Sequence, residues 1–208
     1  MYIYIFGSTC RGEVDELSDA DLLAVIHESE IGKHLFNMQL YSVYTEKRLK
    51  ELWQEGNPFA WHLWEEAKLV FSPNSHNFIN SLNQPCTYND IKKDCQKFYN
   101  LFLDSNLSLN INRLSTIYDL SCVFLAIRNF ASCYSLGKLN QINFSRDSAL
   151  MLNSLSLEIP KEEYNTLRKS RIISTRAIGS EITKEEINNA IKMLPSIEIW
   201  FKSLMNRI

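Results

Sequence analysis

Gly7-Ser8 and Asp19-x-Asp21 are the residues whose types and spacing suit one chemistry in concert. Ten residues separate Ser8 from Asp19, and the aspartate pair runs directly into the apolar stretch Leu22-Leu23-Ala24-Val25-Ile26. A glycine that ends a short β-branched and aromatic run, Tyr2 to Phe6, lets the backbone turn sharply and approach a phosphate. Ser8 and the amides after it then offer donors at the start of a helix. The ten residues bring the chain back beside the first strand. Two aspartates two apart on a strand project from one face, where paired carboxylates can hold a Mg2+ ion that bridges a triphosphate and an attacking hydroxyl. Gly-Ser or Asp-x-Asp alone is commonplace; strand, turn, spacing and second strand together are specific.

The elements that must position these residues follow from the apolar pattern. Tyr2 to Phe6 and Asp21 to His27 read as strands, and Asn37 to Thr45 as a third, with Gln39, Tyr41 and Val43 on one face and Leu40, Ser42 and Tyr44 on the other. Amphipathic helices are expected over Glu46 to Gln54 and Phe59 to Lys68, broken by Gly56-Asn57-Pro58, and this α/β part closes near Pro73. Beyond Pro85 the pattern is helical. One helix is expected from an N-cap at Thr87, three before Asp90, to about Asp104, and a longer one over Ile111 to Leu136, stopped by Gly137. Two more are expected over Ser145 to Ser154 and over Lys161 to Ile178, the latter opened by Pro160 and closed by Gly179. Thr183 and Glu186 form a capping-box signature for a last helix, kinked at Pro195. The fold class is therefore α+β, a small mixed sheet followed by an all-α bundle, with domains over residues 1–85 and 86–208. No Gly/Ser linker separates them, and the two are expected to pack as one unit.

Composition narrows the partners. Apolar residues make up 45% of the 208, ample for a core. Lys plus Arg number 22 against 24 Asp plus Glu, a net charge of -2, so there is no global attraction to nucleic acid or an anionic membrane. The five cysteines are odd in number and lack a Cys-x-x-Cys pair; they read as free thiols of a reducing cytoplasm. The amino terminus has no basic n-region, and no segment is expected to reach the roughly 18 apolar residues of a spanning helix. His27, His34, His62 and His76 show no metal-ligand spacing, and His62, between Trp61 and Leu63, reads as a partly buried, hydrogen-bonded histidine.

The segment FGSTCRGEVDELSDADLLAVI resembles the polymerase-β-like nucleotidyltransferase superfamily, in particular its minimal and aminoglycoside- or lincosamide-type members. The stretch GNPFAWHL is similar to a segment in bacterial members with a helical carboxyl-terminal half. The resemblance implies a small mixed-sheet nucleotidyltransferase core and a HEPN-like or kanamycin-nucleotidyltransferase-like bundle. It implies Mg2+-dependent transfer of a nucleoside monophosphate, AMP from ATP above all, to a hydroxyl of a small molecule, a protein or an RNA. Asp19 and Asp21 are then the catalytic metal ligands, and Gly7, Ser8 and Arg11 the nucleotide-binding residues; for Arg11 a surface pair with Glu13 is the competing assignment.

Active members of this superfamily generally supply a third carboxylate from a later strand, and the facing positions expected here, Gln39 and Tyr41, are not acidic. Glu46, Glu158 and Glu162 are possible substitutes. The competing reading is a weakly catalytic or inactive nucleotide-binding partner of a toxin-antitoxin or phage-defence system, as a homo-oligomer or with a partner protein. Arg128-Asn129-x-x-x-Cys133 resembles the Arg-Asn-x-x-x-His pattern of HEPN ribonucleases, but cysteine stands where histidine would act. The basic stretch Arg168, Lys169, Arg171 and Arg176 is read as a solvated helix face that a triphosphate or an RNA could also use.

Overall fold

The computed structural model describes residues 1–14, 20–32, 40–111 and 114–208. These divide into two compact units, Met1–Asn89 and Asp90–Ile208. In the first, strands β1 (Tyr2–Phe6), β2 (Asp21–Ile26), β3 (Tyr41–Thr45) and β4 (Lys68–Phe71) form one sheet in the order β3-β2-β1-β4. β1 runs antiparallel to both β2 and β4, whereas β2 and β3 are parallel, so the sheet is mixed. β4 corrects the expected helix over Phe59 to Lys68. The helix ends at Glu66, Ala67 is extended at φ -69 and ψ 129, and the next four residues find the free edge of β1, an outlet that local periodicity does not reveal.

Two helices cover one face of this sheet. In α1 (Glu46–Gln54) the Thr45 side chain caps by accepting from the Arg48 amide at 3.1 Å. In α2 (Pro58–Glu66) Asn57 accepts from the Phe59 amide at 2.9 Å, and Pro58 occupies a first-turn position that needs no amide donor. Their apolar stripes, Leu49, Leu52, Trp53, Ala60 and Leu63, bury against Tyr4, Phe6, Leu23 and Val25. Phe78 and Ile79 of the short α3 (Phe78–Ser81) complete the cluster. Each such side chain removed from water contributes about 1.5–3 kcal/mol. The buried Tyr4 hydroxyl is satisfied in both senses, donating to Asn77 Oδ1 at 3.1 Å and accepting from the Ile79 amide at 3.0 Å.

The first unit extends to Asn89, beyond the expected boundary after residue 85, because the segment following α3 is tied back to α1 and α2. The indoles of Trp53 and Trp61 donate to the carbonyls of Asn83 and Cys86 at 2.8 and 3.2 Å, and the Cys86 amide donates to the Trp53 carbonyl at 2.9 Å.

The second unit is helical among its described residues: α4 (Ile91–Ile111), α5 (Thr116–Leu139), α6 (Lys161–Arg176), α7 (Lys184–Lys192) and α8 (Leu194–Met205). Helix α4 starts after Asp90, whose carbonyl accepts from the Asp94 amide at 3.0 Å, so the expected cap at Thr87 lies outside it. Gly137 does not stop α5, which runs on to Leu139 and ends at Asn140 in the left-handed region. The expected helix over Ser145 to Ser154 is two single 3-10 turns, Ser148–Leu150 and Asn153–Leu155. Thr183 and Glu186 form the expected capping box of α7, and Pro195 begins a separate helix instead of kinking one.

Helix α5 is long and apolar enough to cross a membrane by length and composition, contrary to the sequence expectation. Yet 78% of its most apolar window is buried within the unit, as expected of the central helix of a bundle. Its Phe130 packs on Phe201 and Trp200 of α8 at ring separations of 4.8 and 5.4 Å. Cys133 is 4% exposed, so this thiol is part of the core.

Candidate functional site

The turn after β1 and the start of β2 meet at one point. Gly7 has φ +78, a conformation open to glycine and costly to other residues, and a Cβ built there would overlap Asp21 Oδ2 and lie 3.2 Å from Asp21 Cγ. Strand pairing explains the approach: Phe6 is the register partner of Asp21, so the first residue past β1 must pass the aspartate side chain. Residues Gly7–Arg11 form one 3-10 turn closed by Gly12 at φ 74, a shorter element than the helix start expected after Ser8. Ser8 is partly exposed in this turn, and its carbonyl accepts from the Glu13 amide at 3.0 Å. The structure thus brings Gly7 and Asp21 together, with Ser8 the next residue of the turn. Asp19 and Gln39 lie outside the described residues, as does His34.

Arg11 is engaged within the protein. Its Nη1 donates to both oxygens of Glu66 at 2.7 and 2.6 Å, and its Nη2 to Glu13 Oε2 at 3.1 Å. The Arg11–Glu13 pair is as weighed from the sequence; the Glu66 contact, fifty-five residues away, is new. Burial disfavours the charged guanidinium, but the two carboxylates outweigh it and raise its pKa.

Glu66 is the residue that sequence reasoning missed. Its side chain is only 7% exposed and also meets His62 Nε2 at 2.8 Å. Burial pushes its carboxyl up, but hydrogen bonds from His62 and Arg11 push harder in the other direction, so it sits below the ordinary glutamate range. The available signal was the i,i+4 spacing of His62 and Glu66 on an otherwise apolar helix. His62 is partly buried and hydrogen-bonded, as read from the sequence.

Of the expected facing positions on the third strand, Tyr41 needs correction, and Gln39 lies outside the described residues. The parallel register pairs Leu22 with Tyr41 and Ala24 with Val43, and Leu23 with Ser42 and Val25 with Tyr44. The face that carries Asp21 therefore continues through Ser42 and Tyr44, and Tyr41 belongs to the opposite face. Tyr44 packs against Phe59 of α2 with ring centroids 5.3 Å apart, which fixes that assignment independently. Neither Ser42 nor Tyr44 is acidic.

Glu46 cannot fill the gap. It follows Thr45, the partner of Ile26, and so sits a strand length, about 17 Å, from the Asp21 end of β2. There it lines an open polar depression with His27, Glu28, Lys47, Lys50 and Glu51. Glu158 and Glu162 belong to the second unit. Among the described residues no group of three or more His, Cys, Asp or Glu is placed to hold a metal ion, so a cation at this site would depend on Asp21 and on residues outside that set.

Residues 2–89 match the family described as the nucleotidyltransferase domain. Among solved structures, spectinomycin adenyltransferase AAD(9) from Enterococcus faecialis, with ATP and spectinomycin, is similar at 15% identity, covering 97% of this chain and 91% of that one, with a TM-score of 0.45. No curated protein matches the chain.

Proposed function

From the match of residues 2–89 to the nucleotidyltransferase domain, we propose that the chain is a polymerase-β-like nucleotidyltransferase that transfers a nucleoside monophosphate, AMP from ATP in the first instance, to a hydroxyl of a small molecule, a protein or an RNA. Gly7 and Ser8 take the phosphates, and Asp19 and Asp21 hold Mg2+. The observation that carries this reading is the packing of Gly7 against the Asp21 carboxylate, which puts a cradle too tight for any side chain beside an acidic oxygen donor. An all-oxygen donor set suits a hard cation such as Mg2+. When bound, the metal supplies neutralisation of charge on the transferring phosphoryl group. The chain's own part is positional. Gly7 leaves the backbone open to close approach, Ser8 brings a hydroxyl donor, and Asp21 fixes negative charge at the mouth of β2. Titration calorimetry with Mg-ATP tests the site: Asp19→Asn with Asp21→Asn should weaken binding by at least about tenfold, the loss of one charge-assisted contact or more. Unchanged affinity would place nucleotide binding elsewhere.

The face of β3 favours a second reading, in which the domain binds nucleotide and transfers it slowly or not at all, as a sensing partner in a toxin-antitoxin or phage-defence system. With Ser42 and Tyr44 beside the Asp21 face, β3 offers no general base there, a contribution worth about 10²–10⁴ in rate. Incubation with labelled ATP, Mg2+ and candidate acceptors separates the two. Turnover of order 1 s⁻¹ or faster, ordinary for an enzyme, selects transfer; intact Mg-ATP binding without label transfer selects the sensor.

A further inference from the structure

One face of α2 reaches both ends of the Gly7–Arg11 turn. At the near end, Phe6 packs edge-on against His62 and Phe59, with ring centroids 5.5 and 5.8 Å apart. At the far end, Arg11 is held by both oxygens of Glu66. His62 joins the two grips through its 2.8 Å contact with Glu66. Phe59, His62 and Glu66, spaced three and four residues apart, lie on the same side of the helix.

Stability alone does not account for a carboxylate at position 66. A buried ion pair loses much of its Coulombic gain to desolvation, and an apolar residue of similar volume often serves a core as well or better. The arrangement also leaves Arg11 Nε buried without a hydrogen-bond partner among the described residues, a cost of about 1–3 kcal/mol that a pair evolved for stability would avoid. What the pair does provide is order in a segment bounded by Gly7 and Gly12, both in left-handed conformations. Glycines lose more conformational freedom on folding than any other residue, so this turn needs an external hold.

We propose that Glu66, seconded by His62, is a positioning residue of the nucleotide site: through Arg11 it pre-orders the Gly7–Arg11 turn, so that the turn does not have to be ordered when the triphosphate arrives. This rests on the reading of the turn as the phosphate cradle, and it moves Arg11 from phosphate ligand to structural tie. A pre-ordered turn strengthens ground-state nucleotide binding, so the effect falls on the Kd or KM for ATP and spares kcat.

The test compares Glu66→Gln with Leu52→Ala, a cavity variant in the same core that leaves the turn's side-chain contacts intact. Backbone hydrogen exchange is followed by mass spectrometry in peptides covering residues 7–12, and Mg-ATP affinity by calorimetry. Glu66→Gln should accelerate exchange in the turn and weaken Mg-ATP about tenfold, as expected if roughly one residue's backbone freedom must be frozen on binding. Leu52→Ala should lower Tm with affinity and turn exchange unchanged. Should Glu66→Gln not fold, Arg11→Lys, which keeps the charge and loses the fork, carries the same comparison. Unaltered turn exchange in Glu66→Gln overturns the proposal, as does equal weakening by Leu52→Ala at matched loss of Tm. If the unmodified protein binds no Mg-ATP, the functional reading falls, while the exchange comparison still decides whether α2 holds the turn.

Discussion

A methyl group added at Gly7 would overlap Asp21 Oδ2, and one added at Gly137 would come within 2.8–2.9 Å of the Ile91 side chain. Both glycines admit a neighbour that no other residue would, but for different ends. Gly7 stands at φ +78 between a strand and a 3-10 turn, and its neighbour is a carboxylate at the rim of the sheet. Gly137 is an ordinary helical residue of α5, and its neighbour is an isoleucine that draws α4 close. The same contrast separates two arginines. Arg11 is held by carboxylates and ties a turn. Arg128 donates to the Phe144 carbonyl at 3.2 Å, and its own carbonyl accepts from the Ser148 hydroxyl at 2.9 Å, so it fastens a loop to the central helix. Polar and small residues thus hold a turn where the backbone leaves regular structure, and they serve packing where a helix continues through them.

The largest effect should come from Gly7→Ala. Left-handed strain and the overlap with Asp21 together cost about 2–4 kcal/mol, read as a fall in chemical-denaturation midpoint, and Mg-ATP binding should disappear. A variant that retains both stability and binding would erase the distinction between the two glycines. Gly137→Ala should be milder. The gain in helix propensity, about 1 kcal/mol, is offset by overpacking against Ile91, about 1–3 kcal/mol, for a net loss of about 0–2 kcal/mol, with Mg-ATP affinity unchanged. Weaker nucleotide binding in this variant would show that packing in the bundle reaches the site.

The smallest effect distinguishes two carboxylates, one in each unit. Glu66 is buried and held below the ordinary glutamate value of 4.5. Glu186, partly exposed at the start of α7, is brought down to about 2 by the Thr183 amide, by Lys169 and by the Thr183 hydroxyl. For both, the folded-state pKa is the lower one, so the stabilisation is complete above pH 4.5 and is lost as pH falls toward the folded value, near 2 for Glu186. Glu66→Gln should flatten this acid limb at low salt and at about 0.5 M salt alike, because burial limits screening. Glu186→Gln should do so mainly at low salt. Equal salt sensitivity would mean that Glu66 is as exposed to solvent ions as Glu186.

Much of the fold was legible in the residues themselves. The apolar runs of β1 and β2, the amphipathic α1, the Gly56-Asn57-Pro58 break and the Thr183/Glu186 capping box are local signals that depend on neighbours within a few positions, and the structure places those elements within a residue or two of the expected bounds. The return of the chain from Gly7 to Asp21 could also be read, because the distance a chain must travel to come back beside its own strand is set by backbone dimensions; Asp19 lies outside the described residues. Other features depend on partners distant in the sequence. β4 exists because β1 has a free edge; Gly137 lies inside α5 and leaves room there for Ile91; Ser42 and Tyr44, instead of Tyr41, flank the Asp21 face because parallel pairing sets that register. Glu66 finds Arg11 across fifty-five positions. Periodicity fixes which side of an element is apolar, but a register, a free edge or a buried ion pair is settled only when a second element arrives, since its energy belongs to the pair and to neither partner alone.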